Sequence, residues 1–138
     1  VLMLVGDGDL RSEIEQKVRD LGLSDKVIFT GVRSDVNDLM QGMDVFLFPS
    51  LYEGLPVTMV EAQASGLKCI ISDKVPLECK MTENVVVVKL EESPQKWAEE
   101  VLKYEKYERK NTKEEIVKAN FDIKANAKYL QEFYLNKC

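Results

Sequence analysis

The 138-residue sequence contains no histidine, and this absence removes several kinds of chemistry. A Cys/His zinc site cannot be built from these residues, and neither can a Ser-His-Asp or Cys-His nucleophile. The three cysteines, Cys69, Cys79 and Cys138, have no metal-ligand spacing. We expect them to be reduced thiols of a cytoplasmic protein. Any chemistry here would therefore use carboxylates, backbone amides and a bound ligand.

The sequence also lacks a surplus of basic residues and any long apolar run. Its formal net charge is −5, so no basic footprint for nucleic acid is visible. No apolar stretch approaches the ~20 residues that span a bilayer, and no signal-peptide pattern is present. Hydrophobic residues make up 45% and charged residues 31% of the chain. This composition is typical of a soluble globular domain, for which we expect no nucleic-acid partner.

Five short apolar segments, partly β-branched, predict buried strands. They cover residues 1–5, 27–31, 44–48, 69–71 and 85–88. Apolar residues at helical spacing between them predict helices over 9–21, 35–42 and 57–65. Continuous apolar strands that alternate with helices predict an α/β fold with a parallel sheet covered by helices on both faces.

The last third of the chain, residues 94–138, is predicted to be a helical tail. Residues 94–118 are rich in Lys and Glu, which most simply indicates a solvated helix face. Residues 122–136 predict a further helix, whose apolar positions include Leu130, Phe133 and Tyr134.

Gly6-Asp7-Gly8 follows the first predicted strand and matches the first two glycines of a dinucleotide-binding fingerprint. Arg11 stands where the third glycine would be, and no acidic residue follows the next strand at the required distance. A tight strand-to-helix turn explains these glycines better than a dehydrogenase site does.

The segment from Glu53 to Glu61 combines a glycine loop with a predicted helix start. Gly54 would let a ligand approach the backbone closely, and Pro56 suits the first position of a helix. The free amides of the first turn could hold a diphosphate, while the two carboxylates could accept hydrogen bonds from sugar hydroxyls. Chemistry alone leaves a second interpretation open, in which Glu53 is a solvated loop acid and Glu61 a helix-surface acid.

Glu53, seven residues and Glu61 together resemble the E-x7-E motif of retaining GT-B glycosyltransferases of family 4, the group 1 glycosyltransferases. Two acids at one spacing are a weak signal, but the similarity also covers the surrounding segments in order. These segments are residues 4–11, 27–31, 44–50 and 53–66. The resemblance implies the C-terminal nucleotide-sugar-binding domain of a GT-B enzyme, with a Rossmann-like parallel sheet.

The resemblance also implies roles for individual residues. Glu61 would bind the ribose of the sugar nucleotide, and Glu53 would contact the donor sugar as the candidate catalytic residue. The diphosphate and sugar would face the loop and helix start formed by Gly54, Leu55, Pro56 and Val57. Arg33 lies where the family holds the nucleobase, although a plain surface arginine explains it equally well.

The implied reaction transfers a hexose from a nucleotide diphosphate sugar, with a UDP-sugar favoured, to a glycan or lipid-linked acceptor with retention. The resemblance implies neither a metal nor a cofactor. It places the full-length enzyme in the cytoplasm, with peripheral association at the inner membrane face, in surface or exopolysaccharide synthesis. Two alternatives stay open. One is a GT-B sugar-nucleotide epimerase, although that group usually relies on histidine, and the other is a non-catalytic nucleotide-binding module.

The sequence departs from the family pattern in two places. Lys68 replaces a proline that usually precedes the fourth strand, which affects only a local turn. The family's diphosphate-binding Arg and Lys lie on a strand and helix that precede the segment matching Val1, and its acceptor domain lies further upstream. We therefore expect a single partial domain that is inactive alone and lacks its first strand. The resulting gap would close directly or by pairing between chains, and exposed apolar residues of the last helix would favour self-association.

Overall fold

The computed structural model describes residues 1–136, so Cys138 lies outside the described residues. The strands are β1 (Leu2–Val5), β2 (Val27–Gly31), β3 (Val45–Phe48), β4 (Lys68–Ser72) and β5 (Val85–Val88). The helices are α1 (Arg11–Asp20), α2 (Val36–Gln41), α3 (Val57–Ala64), α4 (Pro94–Leu102), α5 (Lys113–Lys118) and α6 (Ile123–Leu135). A short 3-10 helix, Leu77–Cys79, follows β4 and was not predicted. The predicted strands and the first three helices agree with these bounds to within two residues.

The chain divides into two compact units, of which the first covers residues 1–39. Its two strands, β1 and β2, are parallel, with Leu2 opposite Val27 and Leu4 opposite Phe29. The helix α1 is the crossover that a parallel pair requires. The hydroxyl of Thr30 donates to the carbonyl of Leu4 and adds a side-chain contact between the strands. The first unit is thus a minimal βαβ motif.

The second unit begins at Met40 and contains a parallel sheet in the order β3-β4-β5. The central strand β4 pairs with both neighbours, and Cys69 lies opposite Phe46 on one side and Val85 on the other. Four of its five residues are buried, as expected for a parallel strand covered on both faces. The main core surrounds this strand and includes Met59, Ala62, Leu67, Cys69, Ile70, Ile71, Val75, Cys79 and Val85.

The predicted α/β class with parallel pairing is confirmed, but the strands form two sheets in the structure. One sheet pairs β1 with β2, and the other has the order β3-β4-β5. Closure of the gap, directly or by pairing between chains, stays a prediction.

The Lys- and Glu-rich stretch 94–118 forms two helices, α4 and α5, and α4 has no buried residue, as expected for a solvated helix face. Residues 103–112 between them are not continuously helical, and within the second unit they pack against residues 40–43 and 65–66. Arg109 donates to the carbonyls of Met40 and Met43 near the end of α2, and to the carbonyl of Ser65 just after α3. A cation is favourable there because helix carbonyls lack partners at that end. These tertiary contacts replace a continuous helix.

The last helix, α6, confirms the predicted exposure of its apolar side chains. Leu130 is 49% exposed and Tyr134 is 64% exposed, and Phe133 contacts Tyr134 edge to face at 5.5 Å between ring centroids. Asp122 caps the helix by accepting a hydrogen bond from the amide of Ala125 at 2.7 Å. Within residues 1–136, no helix has both the length and the apolar composition needed to cross a membrane.

A substitution at Gly66 can test how residues 103–112 pack against the end of α3. The φ of +72° at Gly66 favours glycine, and a Cβ there would lie 2.5 Å from the carbonyl oxygen of Lys110. We expect Gly66→Ala to lower the free energy of unfolding by about 2 kcal/mol or more, measured by urea denaturation. Gly8→Ala is the control, since a Cβ at Gly8 meets no atom within 4 Å. Equal stability of the two variants would contradict this account.

Candidate functional site

The loop that joins β3 to α3 presents large apolar side chains to solvent. Leu51, Tyr52, Leu55 and Val57 are all between 54% and 86% exposed. A loop that only connects two elements gains nothing from such a surface, and contiguous exposed apolar groups commonly mark binding sites. The predicted site residues 53–57 lie within this stretch, which we call the donor loop (residues 51–57) after the sugar-donor role predicted from the sequence.

Glu53 is held in place by a chain of hydrogen bonds that starts in the sheet. The buried hydroxyl of Ser72, at the end of β4, donates to the carbonyl of Ser50 at 2.5 Å. The hydroxyl of Ser50 donates in turn to a carboxylate oxygen of Glu53 at 2.7 Å. The half-buried carboxylate therefore has a defined position. Sequence reasoning missed both serines, although each follows or ends a parallel strand, where ligand sites in α/β sheets form.

Gly54 differs from Gly66 because the fold itself does not require a glycine there. A Cβ added at Gly54 would meet no atom within 4 Å, and its φ lies outside the left-handed region. The space above the backbone is open. A glycine at this position leaves that space free for a ligand to approach the main chain.

The start of α3 offers unpaired amide donors. Pro56 is buried and stands just before the helix with φ −72° and ψ 106°, so its predicted place as first helical residue is corrected to the capping position. Its extended ψ excludes it from the helix, although its carbonyl accepts from the amide of Met59 at 3.0 Å. Within residues 1–136, the amides of Val57 and Thr58 donate no hydrogen bond. Free amides at a helix start favour an anion.

Glu61 is the fifth residue of α3 and lies one turn after Val57. Residues four apart share a helix face, and helical side chains lean toward the amino end. The half-buried side chain of Glu61 is thus on the same helix face as Val57. Within the described residues, neither Glu53 nor Glu61 forms an ion pair. Both carboxylates are available to a ligand.

Arg33 lies in the first unit, just after β2, and is described there by itself. Its Nε donates to a carboxylate oxygen of Asp35 at 2.7 Å, and Nη2 donates to the other oxygen. This pairing raises the pKa of Arg33, and the hydrogen bond from Arg33 lowers the pKa of Asp35. The guanidinium of Arg33 is therefore already paired with Asp35, two residues later in the chain. The nucleobase role stays a prediction.

The turn at Gly6-Asp7-Gly8 has an internal explanation. The Asp7 carboxylate accepts from the amide of Gly8 at 2.8 Å and pairs with Arg11 at 3.3 Å. Arg11 also pairs with Glu15 at 2.8 Å. These contacts belong to a tight strand-to-helix turn, the interpretation that the sequence favoured.

Cys79 packs behind the donor loop. Its side chain is 1% exposed, and its Sγ lies 4.0 Å from the carbonyl oxygen of Gly54. Burial raises the pKa of this thiol, and the carboxylates of Glu78 and Glu53 raise it further. No sequence signal indicates this role, because only the tertiary structure brings residue 79 next to residue 54.

A parallel α/β unit with an anion-favouring loop and two carboxylates without ion pairs defines a class of ligand-binding domain, and comparison with known proteins gives its family. The model of the family "Glycosyl transferases group 1" matches residues 1–106. The chain belongs to this family, and its parallel α/β architecture is that of GT-B glycosyltransferases.

Relatives with names and structures cover the chain to different extents. EpsF of Bacillus subtilis (strain 168), provisionally named as a glycosyltransferase, is 39% identical over 137 residues, 96% of this chain and 36% of EpsF. The UDP-Gal:alpha-D-GlcNAc-diphosphoundecaprenol alpha-1,3-galactosyltransferase of Escherichia coli is 38% identical over 74 residues, 53% of this chain and 19% of that enzyme. Sucrose-phosphate synthase from Thermosynechococcus elongatus superposes with a TM-score of 0.77 at 25% identity, covering 98% of this chain and 38% of the synthase. The chain thus spans about a third or less of the two sequence relatives.

The packing behind the donor loop predicts the reactivity of the two described cysteines. Burial raises the pKa of Cys69 to about 12, and Cys79 is also buried with a raised pKa. Because the thiolate is the reactive form, iodoacetamide at pH 8 should modify both at least ~100-fold more slowly in the native chain than in urea. Mass spectrometry of the separate peptides measures each rate. Rapid native labelling of Cys79 would show that the loop is not packed against it.

Proposed function

We propose that this chain forms the donor-binding part of a glycosyltransferase that moves a hexose from a nucleotide diphosphate sugar to a glycan or lipid-linked acceptor. The observation that carries the proposal is the arrangement around the start of α3. One short segment contains both hydrogen-bond donors and acceptors for such a ligand. The donors are the free amides of Val57 and Thr58, and the acceptors are the carboxylates of Glu53 and Glu61. A sugar nucleotide has a diphosphate for the amides and hydroxyls for the carboxylates.

Each group has a specific part in donor binding. The diphosphate would lie at the amides of the helix start, reached through the open space above Gly54. Glu61 would accept hydrogen bonds from the ribose hydroxyls, and Glu53 from a hydroxyl of the hexose. Hydrogen bonds to a charged acceptor are the stronger kind, so the pair can orient the donor as well as bind it.

The name of the E. coli relative supports a choice of donor and acceptor. That enzyme uses UDP-Gal and a diphosphoundecaprenol-linked sugar. By this likeness we favour a UDP-sugar as the donor and a lipid-linked or glycan acceptor in surface or exopolysaccharide synthesis. The corresponding location is the cytoplasm, with peripheral association at the membrane where such acceptors lie.

The amides would also contribute to the chemical step. As the bond between the sugar C1 and the diphosphate breaks, negative charge grows on the leaving oxygen. Preorganised amide donors and the helix dipole stabilise that charge without reorganising. Glu53 would hold the sugar so that the acceptor hydroxyl attacks C1 on the side that the diphosphate leaves, which retains the configuration. The proton of that hydroxyl would pass to the leaving diphosphate oxygen. We propose that this reaction needs neither a metal nor a cofactor.

Substitution of Glu61 tests the ribose contact. In calorimetric titration with UDP, we expect weak binding by the chain and at least ~10-fold weaker binding by Glu61→Ala, because a charge-assisted hydrogen bond is lost. Glu108→Ala is the matched control, since Glu108 is an exposed acid away from the donor loop, and it should bind UDP as the unsubstituted chain does. Unchanged affinity in Glu61→Ala would exclude the ribose role.

Substitution of Glu53 tests the sugar contact separately. Glu53→Gln keeps the size of the side chain and an oxygen that can accept from Ser50, so the loop should stay folded. We expect UDP affinity to change by less than ~2-fold, while the affinity for a UDP-hexose relative to UDP falls by about tenfold. Competition titrations with the two ligands measure this ratio. An equal loss for both ligands would argue against a sugar-specific contact.

A further inference from the structure

Gln63 is a completely buried polar side chain in the second unit, and its amide group is fully bonded. Its Nε2 donates to the carbonyls of Met59 at 3.0 Å and Cys79 at 2.7 Å. Its Oε1 accepts from the amides of Met81 at 2.9 Å and Thr82 at 3.1 Å, and from the Thr82 hydroxyl at 3.2 Å. No hydrogen-bonding capacity of this amide is left unused.

These bonds join the start of α3 to residues 79–82. Met59 belongs to the first turn of α3, whereas residues 79–82 form the irregular segment between the 3-10 helix and β5. An irregular segment at the edge of a core has polar main-chain groups that need partners. Gln63 supplies partners to three of them, the Cys79 carbonyl and the Met81 and Thr82 amides. These bonds hold the segment in a fixed position against α3.

The segment bound by Gln63 lies behind the donor loop. The Sγ of Cys79 is 4.0 Å from the carbonyl oxygen of Gly54. The negative charge of the Glu53 carboxylate also contributes to the raised pKa of the Cys79 thiol. Gln63 itself is two residues after Glu61 on α3. A two-residue step turns a helix by about 200°, so Gln63 points into the core while Glu61 lies on the outer face.

We infer that Gln63 is a positioning residue for the donor loop, holding residues 79–82 in place so that they support Glu53 and Gly54 from behind. This role rests on the proposed function for its effect on a sugar donor. An apolar residue of similar size would fill the volume of Gln63, but it would leave the Cys79 carbonyl and the Met81 and Thr82 amides without partners. The segment would then separate from α3 to reach water, and the loop would lose its support.

The first experiment needs no ligand and uses Gln63→Met, which keeps the length of the side chain and removes its hydrogen bonds. We expect iodoacetamide to modify Cys79 at least ~10-fold faster than in the unsubstituted chain, with Cys69 still protected. Thr112→Val is the matched control, because the Thr112 hydroxyl donates to the main-chain carbonyl of Gln63 at 2.6 Å and does not touch the amide group. It should lower the melting temperature without exposing Cys79.

Equal Cys79 labelling rates in Gln63→Met and Thr112→Val would overturn the inference, because both would then report only general loss of stability. Should Gln63→Met fail to fold, Thr82→Val gives the same test, since it removes the hydroxyl that donates to Gln63 and accepts from the amide of Asn84 but keeps the Thr82 amide bond to Gln63. It should accelerate Cys79 labelling in the same direction by a smaller factor, about twofold or more. No acceleration in Thr82→Val would overturn the inference.

The second experiment measures the effect on the donor. In folded Gln63→Met, the affinity for a UDP-hexose relative to UDP should fall by about tenfold, while Thr112→Val keeps the ratio of the unsubstituted chain. An unchanged ratio in Gln63→Met would overturn the positioning role. If the unsubstituted chain binds neither ligand, the proposed function fails, and Cys79 labelling still decides whether Gln63 holds the segment.

Discussion

The second unit depends on the central parallel strand β4, which pairs along both edges and is buried along most of its length. The middle of such a strand is apolar, here Cys69, Ile70 and Ile71, because helices cover both faces of a parallel sheet. Its pairing with both neighbours is parallel, so the carboxyl ends of β3, β4 and β5 lie at one edge. The donor loop leaves β3 at that edge, and Ser72 ends β4 there. The candidate site is therefore a consequence of how the sheet is connected.

Polar groups determine how precisely that edge is arranged. Ser72 and Ser50 connect the sheet to the carboxylate of Glu53. On the core side, Gln63 bonds the segment that packs under the same loop. Buried polar contacts of this kind contribute little net stability when satisfied, yet they are costly when one partner is missing. They therefore select one loop conformation more strongly than apolar packing alone would.

The two sides of α3 show how one helix serves both stability and binding. Its inner face contributes Met59, Ala62 and Gln63 to the core, while Glu61 remains accessible on the other face. At its carboxyl end, Arg109 donates to the carbonyl of Ser65, and Gly66 allows the main chain of residues 109–110 to approach closely. The helix is thus fixed at its far end, and its amino end is left with free amides.

The sequence alone determined the α/β class, the strand segments and the candidate loop, because apolar periodicity and turn residues are local signals. The order of short motifs around Glu53 and Glu61 also sufficed for the family. Only the tertiary structure decided that the strands form two sheets, that the Lys- and Glu-rich stretch breaks to let Arg109 reach helix carbonyls, and that Gln63 lies behind the loop. These features depend on contacts between residues distant in the chain. Neither composition nor spacing records such contacts.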